Sequence, residues 1–328
     1  MSDAAKGISA IIGACAIWGL SPIFYKLLVH VPPLEVLSHR TLWSLVFFGL
    51  VLAGQGRLRQ IGAALGGFRR IAIVALATAM VSTNWFLFIY AIQLGRAVEA
   101  SLGYYILPLV SVLLGMVFFA EKLSRGRAVA IGLAGIAVMV LTVGLGAAPT
   151  ISLVLAVTFG IYAVIKKNSV SGPVVSVTAE VLLVAPLSLI WLWGVHNWGW
   201  EGLTGRNLAT FGASLSDSLL LMLSGPLTGF PLILFSYASR RLNLATVGLV
   251  SYLNPTLQFL VAVVIFSEPF TRWHAIAFPL IWLALAVYSA DALRQERSAR
   301  RAAIRSATEA ITLTKSRSEE SANPSSMT

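Results

Sequence analysis

Residues 87–125 recur without a gap 147 positions further along the chain. The matches include Leu87/Leu234, Phe88/Phe235, Tyr90/Tyr237, Tyr105/Tyr252, Pro108/Pro255, Phe119/Phe266, Glu121/Glu268 and Arg125/Arg272. A chain that carries one stretch twice is constrained to fold as two copies of one unit, a construction used by secondary transporters. Its medium is lipid: 57% of residues are apolar, 11% are charged and the mean hydropathy is +0.83, outside the range of soluble domains. Ten stretches are long and apolar enough to cross a hydrocarbon core, at about 7–29, 34–54, 70–93, 98–119, 126–145, 150–166, 173–194, 217–238, 245–267 and 273–291. Their apolar runs are continuous, where a membrane β-strand would alternate. The expected fold is all-α integral membrane, with ten transmembrane helices.

Lys and Arg fix the expected orientation. With the N-terminus inside, the inner loops and ends hold Lys6, Arg57, Arg59, Arg69, Arg70, Lys122, Arg125, Arg127, Lys166, Lys167, Arg240 and Arg241, against Arg96, Arg206 and Arg272 outside. Both termini are therefore expected in the cytoplasm. Five helices per copy is an odd number, so the second copy enters from the opposite side and the repeats are inverted. The expected domains are residues 1–148, the first repeat; 149–292, the second; and 293–328, a basic then disordered cytoplasmic tail.

Several function classes lack residues to support them. The net charge of +11 sits in short inner loops and the tail, where topology and anionic lipid account for it, so no nucleic-acid partner is expected. Cys15 is the only cysteine, which rules out an intramolecular disulfide and a cysteine-based metal site. There is no G-x-x-x-x-G-K-[ST], no H-E-x-x-H and no G-x-S-x-G, so neither an ATP-hydrolysing module nor a hydrolytic enzyme is expected, and no cofactor or metal is called for.

Four stretches carry a family likeness: Ala16-Ile17-Trp18-Gly19-Leu20-Ser21-Pro22, His39-Arg40, Asn84-Trp85, and Glu99-Ala100-Ser101-Leu102-Gly103-Tyr104-Tyr105. Over roughly residues 7–292 the chain resembles the EamA-type transporters of the drug/metabolite transporter superfamily, specifically the RarD subfamily. The resemblance implies ten helices in an inverted repeat. It also implies a bacterial inner-membrane permease that exports drugs or metabolites, with chloramphenicol the compound linked to the subfamily name.

Charge inside a span costs at least ~2.5 kcal/mol, so charged groups there are expected to face a wet cavity or a partner. Arg40 and Glu180 each lie seven residues after a helix-opening proline, Pro33 and Pro173, at pseudo-symmetric positions in the two repeats. One reading makes Arg40 the anchor of an anionic group and Glu180 a cation or proton site; the other makes both structural, neutralised by backbone or by each other. His39, one turn after Glu35, is a second candidate for proton coupling, or else an interfacial residue hydrogen-bonded to Glu35 or to lipid headgroups. Lys26 either has a substrate role or snorkels to the interface.

Asn84, Trp85, Tyr104, Tyr105, Tyr252, Asn254 and Gln258 are candidate cavity residues, with interhelical glue and ordinary packing as the alternatives. Pro108 and Pro255 kink matched helices, and Pro226 and Pro231 around Gly229 suggest a broken or strongly bent helix 8, so all four prolines are candidate gating positions. Glu121 and Glu268, each four residues before an arginine, are expected to pair or cap locally. Gly132, Gly135 and nearby alanines leave a surface suited to lipid or a second copy of the chain. The expected activity is export of a small amphipathic solute by alternating access, with a proton as the candidate coupling ion. An uncoupled metabolite or amino-acid facilitator and a lipid-handling envelope protein are the alternatives.

Overall fold

The computed structural model describes residues 3–120, 123–167, 171–205, 209–242 and 244–322. Glu121, Lys122 and Arg206, used in the sequence argument, lie outside them. Among the described residues there are ten helices long and apolar enough to cross a membrane. They are α1 (Asp3–Leu27), α2 (Pro33–Gly54), α3 (Phe68–Gln93), α4 (Ala97–Phe119), α5 (Arg125–Leu145), α6 (Thr150–Lys167), α7 (Pro173–Trp198), α8 (Leu215–Ser239), a composite α9, and α10, which opens the helix Arg272–Ala322. The chain is an all-α, multi-pass membrane protein. Pro33 and Pro173 open α2 and α7, where the missing N–H of proline has no intrahelical partner to lose. The final helix runs on to Ala322, through the stretch expected to become a disordered tail.

The helix pairings survive exchange of each helix with the one five further on. α4 packs on α6 as α9 packs on α1; α3 packs on α6 as α8 packs on α1; α2 packs on α8 as α7 packs on α3. The remaining large contacts, α2 with α7, α4 with α9 and α5 with α10, join a helix to its own counterpart. Backbone geometry repeats too. Ala120 and Ser267, 147 positions apart, are the non-glycine residues with positive φ among the described residues, at 51° and 53°.

Close approach is set by missing side chains. A Cβ on Gly225 in α8 would lie 2.3 Å from the carbonyl carbon of Trp43 in α2, and one on Gly19 in α1 would lie 2.6 Å from Leu257 Cβ in α9. Small residues let backbones meet in this way where lipid supplies no hydrophobic drive between helices.

Helix 8 is not broken. α8 runs unbroken through Pro226, Gly229 and Pro231, with Gly229 pressed against Phe47 and Phe48 of α2. Hydroxyls bond back along the same stretch, Ser224 Oγ to Leu221 O at 2.5 Å and Thr228 Oγ1 to Ser224 O at 2.9 Å, which is how membrane helices tolerate proline. The interruption falls in α9, built from Leu244–Ser251, Leu253–Leu260 and a π-helical turn Val261–Ile265. Its first break, at Tyr252, sits where Pro255 cannot donate to the carbonyl of Ser251. Pro108, at the matched place in α4, leaves that helix continuous.

Candidate functional site

Arg40 and Glu180 lie on the paired helices α2 and α7, and both are buried, at 7% and 2% exposure. Their surroundings differ. Arg40 donates from Nε to Thr228 Oγ1 of α8 at 2.8 Å, and its guanidinium carbon lies 4.2 Å from the Trp85 ring centroid and 5.8 Å from that of Tyr25. Among the described residues no carboxylate comes within 4.0 Å of it. A buried guanidinium between aromatic faces is a cation held by ring quadrupoles and one hydroxyl, with its charge still unmatched.

Glu180 is matched. Lys166 Nζ of α6 donates to its Oε1 and also to Ser176 Oγ; Tyr162 Oη donates to its Oε2 at 3.0 Å, and Ser176 Oγ lies 3.2 Å from Oε1. Three groups thus hold the carboxylate. Trp85 connects the two charges, because its ring lies beneath Arg40 and also lines a narrow recess with Glu180, Thr41, Thr78 and Ser82. In this conformation that recess has no room for a water molecule.

The other sequence-selected residues divide by surroundings. Asn84 is fully buried: its Nδ2 donates to Leu155 O at 2.9 Å and Thr158 Oγ1 at 3.2 Å, and its Oδ1 accepts from Tyr104 Oη at 3.0 Å. It therefore binds α3 to α6 and α4. Tyr105 is packed in the core with its hydroxyl 2.8 Å from Thr256 Oγ1 of α9. Tyr252 faces Tyr288 and Ser289 of the last helix. Asn254 Oδ1 accepts from Gln258 Nε2 at 2.9 Å, and Gln258 Oε1 is buried without a partner. Lys26 places Nζ 5.3 Å from the Phe266 ring centroid.

His39 is buried, its ring stacked 4.6 Å from that of Phe211 and its Nε2 unpartnered. It makes no hydrogen bond to Glu35, whose Oε1 instead accepts from the Thr210 amide at 3.1 Å. Glu268 is no local cap. It reaches across the molecule to the start of α4, where Ala97 N and Val98 N donate to its two oxygens at 2.7 and 2.8 Å.

Sequence reasoning missed Lys166, Tyr162 and Ser176 around Glu180, and Tyr25 and Thr228 around Arg40. A signal for the first was present: the offset of 140 that relates Arg40 to Glu180 also relates Lys26 to Lys166.

Comparison with known proteins places this geometry. The EamA-like transporter family profile matches residues 5–143. Protein RarD of Streptomyces exfoliatus is 40% identical over 293 residues, covering 88% of this chain and 89% of that protein. An uncharacterized transporter of Vibrio cholerae is 36% identical over 306 residues, 92% of this chain and 97% of its own length. A crystal structure 19% identical, superposing with a TM-score of 0.57 over 86% of this chain and 96% of its own, shares the fold. Two near-full-length relatives above 30% identity, with the family profile, settle the membership: the chain belongs to the EamA-type transporters, as a RarD-like member.

Proposed function

We propose that this transporter exports small amphipathic solutes bearing an anionic group across the bacterial inner membrane by alternating access, with proton coupling. In this reading the pairings that exchange under a shift of five helices are two inverted repeats, with both termini cytoplasmic. The observation that carries it is Arg40: a cation buried where the two halves pair, resting on Trp85, with no carboxylate among the described residues to neutralise it. Leaving such a charge unmatched is costly unless a ligand supplies the counter-charge. Trp85 and Tyr25 provide flat apolar walls beside it, which suits a ring or chain attached to an acid group. The collapsed recess beside Glu180 corresponds to the substrate-free, closed site, and opening it requires α2 and α7 to part around Trp85.

Glu180, already holding Lys166, is a poor carrier of a transported proton, because protonation would strand the lysine. That favours a structural role for the pair. An uncoupled facilitator remains the second reading to that extent.

The test is counterflow in proteoliposomes with a radiolabelled panel of aromatic carboxylates, amino acids and chloramphenicol. Exchange is expected for carboxylate members and is expected to fall at least tenfold in Arg40→Met, the loss of one charge-assisted contact of about 1.5–3 kcal/mol. Counterflow unchanged in a correctly inserted Arg40→Met would remove the anion reading.

A further inference from the structure

Four of the buried polar side-chain atoms that lack a partner gather at one end of the bundle: Glu35 Oε2, His39 Nε2, Trp191 Nε1 and Thr204 Oγ1. All lie around two described stretches between α7 and α8, Gly202–Thr204 and the pair Thr210 and Phe211. A Cβ on Gly202 of the first stretch would touch Trp191 at 3.0 Å and Leu34 at 3.6 Å, which puts its turn directly on the start of α2. We propose that Glu35 is a proton-binding site of this chain, occupied while Thr210 and Phe211 lie over it and emptied when these two residues lift.

Glu35 is 0% exposed; its Oε1 accepts the Thr210 N–H at 3.1 Å, the Phe211 amide also faces the carboxyl, and its Oε2 has no hydrogen-bond partner among the described residues. No lysine or arginine of the described residues comes within 4.0 Å, and neither does a histidine nitrogen. An ionised carboxylate in that position lacks the counter-charge and the second set of donors that burial demands, whereas a protonated one is neutral. Glu180 makes the contrast within the same molecule, being equally buried but supplied with a lysine, a tyrosine and a serine.

The groups facing Glu35 are few. His39 is on its own helix, its ring occupied by Phe211. From the α1–α2 turn comes His30, which is committed to Asp217 of α8 at 3.1 Å. From α7 comes His196, whose Nδ1 lies 2.9 Å from Leu192 O and whose Nε2 lies 3.4 Å from Phe211 O. His30 and His196 act on Glu35 only from a distance.

The same groups grip the covering residues. Glu35 holds the amide of Thr210, His39 stacks on the ring of Phe211, and His196 faces the carbonyl of Phe211. A site whose occupancy and whose cover depend on the same two residues, Thr210 and Phe211, ties proton binding to opening at this end. On the orientation proposed above this is the outer end, where external protons arrive. The coupling role rests on the proposed carrier function; the proton site itself does not.

Two substrate-free measurements test it on the purified full chain in lipid. Infrared spectroscopy near neutral pH is expected to show a protonated-carboxyl C=O band that is lost in Glu35→Gln and kept in Glu180→Gln. In a Cys15→Ser background, impermeant maleimide labels Thr210→Cys, with exposed Leu203→Cys as the reference for thiol ionisation. The labelling ratio is expected to rise by about tenfold per pH unit until the carboxyl is ionised, since one proton must leave for opening. In Glu35→Gln it is expected to be flat. Should Glu35→Gln not fold, Glu35→Asp serves, with the band shifted.

A band indifferent to residue 35, or a labelling ratio with the same pH slope in Glu35→Gln, overturns the proposal. A titrating band and slope in a chain that moves no panel compound would keep the proton site and remove the carrier reading. Proton-linked counterflow undiminished in Glu35→Gln would do the reverse.

Discussion

Removing Lys166 should cost more than removing the acid it serves. Glu180 is 2% exposed as a side chain and Lys166 is 22% exposed, so the two partners have unequal escape routes. In Lys166→Met the carboxylate is left without a cation in a site it cannot leave, and breaking a buried pair from that side costs about 3–5 kcal/mol. In Glu180→Gln the amide keeps Tyr162 and Ser176 within reach while the lysine can extend toward the interface, so the loss is nearer about 1.5–3 kcal/mol, that of one charged hydrogen bond. The double variant Lys166→Met/Glu180→Gln leaves no buried charge and should fall well short of the sum, close to wild type. Reversible unfolding of the purified protein in mixed detergent micelles gives all three free energies and closes the cycle. If the two single losses add in the double variant, Lys166 and Glu180 do not support one another and the structural role assigned to them is wrong.

Two further predictions rest on packing and capping. Gly225→Ala should destabilise by about 1–3 kcal/mol because its methyl meets the Trp43 backbone, while Gly132→Ala, with open space around it, should be neutral or slightly stabilising; the same unfolding assay separates them. Glu268→Ala should cost about 0.5–2 kcal/mol by uncapping Ala97 N and Val98 N, and hydrogen exchange should speed up at the start of α4 with no change in α2; uniform exchange would remove the long-range cap.

The spans were legible because length and continuous hydropathy are enough to define them: 34–54 became Pro33–Gly54 and 98–119 became Ala97–Phe119. Proline was less readable. Pro226, Gly229 and Pro231 look like a hinge in the sequence, yet what they serve is decided by α2, whose Phe47 and Trp43 press on the glycine positions. The break appears in α9, and nothing in the structure explains why Pro255 interrupts its helix while Pro108 does not. The positions of Arg40 and Glu180 were readable from their spacing after proline. Their partners were not, because Thr228 is 188 residues from Arg40, and a contact at that separation has no local signature. Glu35 was read as a surface partner of His39 because the sequence does not show that Gly202, Thr210 and Phe211 pack on the end of α2.

Repetition itself sharpened the difference between the two halves. The offset of 140 that aligns Arg40 with Glu180 aligns Lys26 with Lys166, so each half brings one lysine to the same place and only the second half offers it an acid. There the pair closes, with Tyr162 and Ser176 completing the shell. In the first half the lysine turns to the ring of Phe266, and Arg40 is left among aromatic rings with Thr228 as its one hydrogen-bond partner. Among the described residues the two halves thus hold a neutral cluster on α7 and an unmatched positive charge on α2. A symmetric site would have suited a zwitterion, with one charge read by each half. On the proposed function, this arrangement leaves a single cation to be read, and a ligand that completes it is expected to bring a single negative charge.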